Sequence, residues 1–123
     1  MKPDSFNPGL IAFLDESPSP FHAVTTMQRA LQEHGFNDLD PGAPWSIGGR
    51  DKALVVRNGS SLIAFRMGSA PLIESGVRMI GAHTDSPCLR IKPVPDVRRS
   101  GFHQLGVEIY GGVLLAPWFD RDL

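Results

Sequence analysis

The sequence predicts an α/β fold in which two helices precede a set of strands. Two observations carry this prediction. Apolar residues recur at helical spacing as far as Gly35, and from residue 53 onward the apolar runs are short, β-branched and bounded by turn residues. The order of elements alone also fits an α+β fold. With 123 residues and no internal repeat, the chain has the length of one small domain.

The two helices are predicted from capping residues and prolines. The first is expected over residues 7–16, with Asn7 as N-cap and Pro8 at the first helical position. The second is expected to begin after Ser19, because the serine hydroxyl can cap and Pro20 is tolerated in a first turn. The apolar face of the second helix consists of Phe21, Val24, Met27 and Leu31.

The strands are predicted after a loop-rich stretch at residues 36–52 that contains Trp45. Residues 53–58 and 61–66 are expected to form a hairpin around Gly59-Ser60, because both runs are rich in residues that favour strands. Two further regions are expected to be extended: residues 77–83, and a pair of strands within 106–119 that is broken at Gly111-Gly112.

Charge and composition exclude several classes of partner. The 12 basic and 13 acidic side chains give a formal net charge of −1, which leaves no large positive field to hold nucleic acid or an anionic membrane. No run approaches the roughly 18 apolar residues that a membrane span needs. A single cysteine, Cys88, cannot form an internal disulfide, in agreement with a reducing compartment. We therefore expect a cytoplasmic protein with no nucleic-acid or membrane partner.

The stretch GAHTDSPCLRIKP, residues 81–93, contains the candidate site residues. His83 and Asp85 are expected at the end of the strand 77–83, where side chains two positions apart share one face. A metal-ligating imidazole usually gives its other N–H to a carboxylate, so this pair has the form of a metal ligand with its supporting group, and zinc is the leading metal. The spacing alone fits a structural or capping pair equally well, and one imidazole cannot hold a zinc ion.

Three blocks of sequence together resemble a known family. SPSPFHAV (17–24), GAHTDSPCLRIKP (81–93) and YGGVLLAPWFDRDL (110–123) are similar, in this order, to the M18 metallopeptidases, the aspartyl aminopeptidases. The resemblance implies a two-metal enzyme that removes N-terminal, preferably acidic, residues from peptides. It also implies a catalytic α/β domain interrupted by a β-rich dimerisation domain, in a homo-oligomer of about twelve subunits. The glycine-rich run before WFDRDL is shorter here than in the family pattern.

The resemblance assigns roles to the two candidate residues. It implies that His83 is a metal ligand and that Asp85 orients it, with two zinc ions, or cobalt or manganese, in the complete centre. The family's other ligands and its general-base glutamate belong to later motifs that this sequence does not contain. We therefore expect residues 1–88 to be the N-terminal part of the catalytic domain and 89–123 the start of the dimerisation domain, in an N-terminal fragment that is inactive alone.

The remaining chemical residues are expected to have local roles. His22 and His34 lie at the two ends of the second predicted helix, and His103 is expected in a polar loop. Cys88 is expected to be an inert thiol. Asp120 and Asp122, on either side of an arginine, are expected to form ion pairs with it rather than an acid/base pair. The alternative function is a non-catalytic module in which the strand-rich C-terminal part, with its run VLLAPWF, pairs with another chain by strand addition or buries a hydrophobic patch.

Overall fold

The computed structural model describes residues 3–119, and the chain divides into two compact units, Met1–Asp85 and Ser86–Leu123. The first unit contains α1 (Pro3–Asp15), α2 (Pro20–Glu33), β1 (Asn37–Asp38), β2 (Lys52–Arg57), β3 (Ser61–Arg66) and a short α3 (Leu72–Ser75). The second contains β4 (Cys88–Arg99), β5 (Phe102–Tyr110) and a 3₁₀ turn at Ala116–Trp118. Helices lead and strands follow, as predicted.

The helix α1 begins earlier than the sequence indicates. It begins at Pro3 and includes Pro8 in its interior, so the prediction of Asn7 as N-cap and Pro8 as the first helical residue is wrong. A proline removes one backbone donor but does not always end a helix, and α1 continues through it. The apolar side chains of α1 remain largely exposed, with Leu14 at 60%.

The helix α2 begins and ends where the sequence predicts. Ser19 is the N-cap, with extended backbone angles, and Pro20 opens the helix. At the other end Gly35 has a φ of 81°, a left-handed conformation that glycine adopts without strain. The N–H of Gly35 donates to the Gln32 carbonyl at 2.9 Å, and the N–H of Phe36 donates to the Leu31 carbonyl at 3.1 Å. This pair of bonds is a Schellman motif, which satisfies the last carbonyls of the helix.

A three-stranded sheet with the order β1-β2-β3 forms the centre of the first unit. The predicted hairpin is confirmed, because β2 and β3 pair antiparallel from Lys52↔Arg66 to Arg57↔Ser61. Its turn contains Asn58 and Gly59 with φ of 52° and 65°, conformations that asparagine and glycine tolerate best. The two-residue strand β1 runs parallel to β2 and was not predicted, because two residues are too short to show a periodicity.

Residues of α2 and β2 form the buried core of the first unit. Leu54 is fully buried and Val24 is 1% exposed, with Ala23, Ala53 and Val55 beside them. Side chains of α2 also bond to the sheet, since Gln28 Nε2 donates to the Asp38 carboxylate at 2.6 Å. These contacts fix α2 against the sheet that precedes the candidate site in the sequence.

The expected strand at residues 77–83 is not formed. The segment is irregular, and no strand of residues 3–119 pairs with it. Met79 is 87% exposed and Ile80 is 99% exposed. The composition favours a strand, but a strand also needs a neighbour for its backbone hydrogen bonds, and composition does not supply one.

The second unit is a long antiparallel hairpin of β4 and β5. β5 includes the first of the two strands expected within 106–119, whereas β4 was not predicted because Pro93, Pro95 and several charges interrupt its pattern. The pairing runs in register to Ile91↔Val107 and resumes at Asp96↔Leu105. Residues 92–95 therefore bulge opposite a single residue, and both prolines lie where no ladder hydrogen bond is required.

The prediction of a second strand within 106–119 is wrong. Gly111-Gly112 forms a turn, and the chain then enters the 3₁₀ turn at Ala116–Trp118. Pro117 lies inside this turn, and its missing N–H suits the start of a helical turn better than a paired strand. None of the helices between residues 3 and 119 has the length and apolar character that crossing a bilayer requires.

Candidate metal centre

His83 and Asp85 lie in the irregular segment at the end of the first unit. The sequence predicts them on one face of a strand, but the chain bends at Thr84 instead. The two residues are nevertheless in contact, so the bend brings together a pair that strand geometry was expected to align. His83 and Asp85 are therefore close together, as predicted, but a bend in the chain and not a strand brings them together.

The contact between the two residues fixes which ring nitrogen of His83 carries a proton. His83 Nδ1 lies 2.8 Å from the main-chain carbonyl oxygen of Asp85 and 3.3 Å from the carboxylate Oδ1. A carbonyl oxygen can only accept a hydrogen bond, so the proton is on Nδ1. In the neutral ring Nε2 then has the lone pair, which is the form that binds a metal ion.

The surroundings of the pair leave the ring accessible. The His83 side chain is 80% exposed and the Asp85 side chain is 48% exposed. These properties fit one ligand of a zinc site, with the Asp85 carbonyl and carboxylate as its supporting acceptors. They do not make a complete site, because no group of three His, Cys, Asp or Glu residues within 3–119 could hold a metal ion.

Thr84, between the two, is a further functional residue that the sequence does not indicate. Its hydroxyl donates to the Ser60 carbonyl at 2.9 Å, across 24 positions of sequence. Ser60 belongs to the turn between β2 and β3. The hydrogen bond therefore joins the irregular segment to the hairpin, and no pattern in the sequence could have indicated it.

The other three histidines lie at the ends of α2 or on β5, outside the segment that contains His83 and Asp85. The His22 ring lies 2.7 Å from the hydroxyl of the N-cap Ser19, and the His34 ring bonds to the Ala30 carbonyl one turn earlier. Both agree with the local roles expected for them. His103 was expected in a polar loop, and this is wrong, because it lies on β5.

Three further residues were considered in the sequence. Cys88 is a free, half-buried thiol at the start of β4. Asp120 and Asp122, expected to pair with the arginine between them, lie outside the described residues. Neither observation adds a ligand to the pair at His83 and Asp85.

An apolar groove of about 750 Å³ lies elsewhere on the first unit. Its lining includes Trp45 and Phe65, whose ring centroids are 6.5 Å apart, and the polar residues Arg57 and Asn58. No histidine, cysteine or carboxylate lines it. The groove is therefore not a second metal centre.

Comparison with known proteins identifies the family to which this segment belongs. The family model described as "Aminopeptidase I zinc metalloprotease (M18)" matches residues 13–123. The chain belongs to the M18 family. Among curated M18 relatives, the probable M18 family aminopeptidase 2 of Ectopseudomonas mendocina is 56% identical over 115 residues, and that of Stutzerimonas stutzeri is 55% identical over 120 residues.

The chain spans only part of its M18 relatives. The matches cover 94% and 98% of this chain but 27% and 28% of those two proteins. The mApe1 structure of Chaetomium thermophilum superimposes with a TM-score of 0.88 at 34% identity, over 98% of this chain and 28% of that one. The S. cerevisiae mApe1 dodecamer gives 0.81 at 35% identity, over 94% and 27%. Family and α/β class are thereby confirmed.

Proposed function

We propose that this chain is the N-terminal segment of a two-metal aminopeptidase, in which His83 is a metal ligand and Asp85 orients it. The observation that carries the proposal is the His83 ring, which is exposed and bonded through Nδ1 to Asp85 within the sequence that the M18 model matches. The family is one of zinc aminopeptidases, so zinc is the expected metal, with cobalt or manganese as replacements.

The chemistry divides between this chain and the rest of the protein. Divalent metal ions in such centres supply Lewis acidity at the substrate carbonyl and lower the pKa of the attacking water. His83 offers its Nε2 lone pair, and the proton held on Nδ1 keeps the ring in one tautomer. The remaining ligands and the general base would come from outside residues 3–119. We therefore expect the 123-residue chain alone to have no turnover.

The substrates are peptides, and the residue removed is an N-terminal aspartate or glutamate. This preference follows from the resemblance to aspartyl aminopeptidases and is tested by comparing release of Asp, Glu and Leu from matched short peptides. Equal rates for the three residues would refute the acidic preference and leave the aminopeptidase activity in place.

The location is expected to be cytoplasmic, which cell fractionation checks.

The second unit would begin the dimerisation domain of a homo-oligomer, with the boundary near residue 88. One face of its hairpin has the apolar side chains of Leu89, Ile91, Val107 and Ile109, and Ile109 is 59% exposed. An isolated two-stranded hairpin is marginal in water and gains stability when such a face is covered. A solved relative is described as a dodecamer. Sedimentation of the protein at family length tests the assembly.

The same apolar face also favours the alternative function, a non-catalytic module that binds another chain. In one form of this alternative VLLAPWF adds to a partner's sheet, and residues 113–119, which form no strand in this structure, would become one on binding. In the other form the hairpin face is buried. Complex formation by a family-length protein that binds no zinc and releases no N-terminal residue would favour this alternative.

The decisive experiment replaces His83 in a protein of family length. Such a protein is the gene product that contains this chain, or a chimaera in which the chain replaces the matching part of the Ectopseudomonas mendocina relative. His83→Ala should lose zinc and peptidase activity. The control is His22→Ala, which removes another exposed imidazole of the same unit and should leave both unchanged. If His83→Ala keeps its zinc content and turnover, the proposal is wrong.

A further inference from the structure

We propose that Thr84 is a positioning residue, whose hydroxyl holds the His83–Asp85 segment on the β2–β3 turn and so aims the His83 ring. This inference rests on the proposed role of His83 as a metal ligand.

The segment around His83 has no regular structure to hold it. Residues 77–87 belong to neither a helix nor a strand, and Ile80 is 99% exposed. A ligand on such a segment needs another restraint, because an imidazole that samples many orientations loses entropy when it binds a metal. Thr84 supplies a restraint directly beside the ring, through its bond to the Ser60 carbonyl at 2.9 Å.

The acceptor of this bond is itself well fixed. The Ser60 N–H donates to the Arg57 carbonyl at 3.2 Å and closes the turn. Gly59, with a φ of 65°, lies beside α2, where an added Cβ would be 3.4 Å from the Phe21 ring. The Ser60 carbonyl is thus held by the closed turn of the hairpin.

The side chains of Thr84 and His83 differ in their exposure to solvent. The Thr84 bond is partly buried, whereas the His83 side chain is 80% exposed. The threonine therefore faces the hairpin while the neighbouring imidazole faces solvent. A rotation of the segment would break the Thr84 bond and move the ring, so the hydroxyl restrains the ring's direction.

The test is zinc affinity in the family-length protein, measured by competition with a chromogenic chelator. Thr84→Val keeps the shape and removes the hydroxyl, and it should raise the zinc dissociation constant about fivefold, the typical worth of one net hydrogen bond. Thr84→Ser keeps the hydroxyl and should restore the affinity to within about twofold. Thr25→Val is the matched control, since it removes a hydroxyl that bonds to a main-chain carbonyl on α2.

A second measurement requires no metal. Amide hydrogen exchange of residues 82–86 in the metal-free protein should be faster in Thr84→Val than in wild type, and unchanged in Thr25→Val. If Thr84→Val does not fold, Thr84→Ala compared with Thr84→Ser gives the same contrast.

The outcomes separate this inference from the proposed function. If His83→Ala leaves zinc affinity unchanged, the proposed function fails and this inference fails with it. If His83→Ala loses zinc while Thr84→Val binds it as tightly as wild type, only the positioning role is overturned. Equal weakening by Thr84→Val and Thr84→Ser would also overturn it, because the hydroxyl would then be irrelevant.

Discussion

Replacement of Asp85 should weaken zinc binding by about tenfold, near the lower end of the range for groups that support a metal-ligating histidine. Such groups are worth roughly ten- to a hundredfold in metal affinity or activity. The carboxylate oxygen lies 3.3 Å from His83 Nδ1, beyond the ~2.7–2.9 Å of strong charge-assisted hydrogen bonds, and it is half exposed. The shorter contact, 2.8 Å, is to the main-chain carbonyl, which Asp85→Ala retains.

The assay is the zinc dissociation constant of the family-length protein, determined against a chelator of known affinity at fixed pH and ionic strength. A tenfold change corresponds to about 1.4 kcal/mol. Asp85→Asn should fall between wild type and Asp85→Ala, because it retains an acceptor and loses the charge. The control is Asp15→Ala, which removes an exposed carboxylate at the end of α1.

Two results would refute this reasoning about Asp85. An unchanged zinc affinity in Asp85→Ala would mean that the carboxylate does not support the His83 ring. A loss well beyond a hundredfold would mean that the main-chain carbonyl contributes little, contrary to its shorter distance. Either result would require a different role for Asp85.

Two further substitutions test the fold that positions the site. Leu54→Ala should lower the free energy of unfolding of this chain by about 2–5 kcal/mol, because Leu54 is fully buried. Urea denaturation measures this change. The control Ile63→Ala should lower the free energy of unfolding far less, because the Ile63 side chain is 67% exposed. Gly106→Val should loosen the β4–β5 hairpin at its bulge, because a Cβ there would lie 3.3 Å from the Pro95 carbonyl oxygen and the backbone must shift to admit it. Amide exchange near Pro95 as slow as in wild type would contradict this.

The elements predicted correctly are those with local signals at both ends. Ser19 and Gly35 mark the ends of α2, and each acts through bonds to residues a few positions away. The β2–β3 hairpin likewise follows from its two runs and from Gly59, which tolerates the positive φ of the turn. In these cases the residues that decide the structure are neighbours in sequence, so a single sequence contains the information.

The elements predicted wrongly depend on distant partners. Residues 77–83 have the composition of a strand but no strand beside them in the described part of the chain. The strand β4 was missed for the opposite reason. Its prolines, Pro93 and Pro95, argue against a strand unless the pairing is known, and the register shift opposite Gly106 is what accommodates them.

The candidate site shows the same division between local and distant information. The pairing of His83 with Asp85 was predicted from a spacing of two, and the contact is present although the strand is absent. The role of Thr84 could not be predicted, because its acceptor lies 24 positions away. Chemical type and spacing therefore indicated the pair, whereas its attachment to the fold required coordinates.

Two different groups of Asp85 contact the His83 ring, the main-chain carbonyl and the side-chain carboxylate, and each has its own effect. The main-chain carbonyl at position 85 accepts the Nδ1 proton and selects the tautomer, and any residue there would provide that carbonyl. The carboxylate of Asp85 adds negative charge at a longer distance. Because the charge would favour a cation on the ring's far side, we expect the Asp85 carboxylate to strengthen metal binding without being needed for the tautomer. The His83 ring should therefore remain protonated on Nδ1 in Asp85→Ala, and nitrogen-15 NMR of the metal-free variant would show whether charge and tautomer are independent.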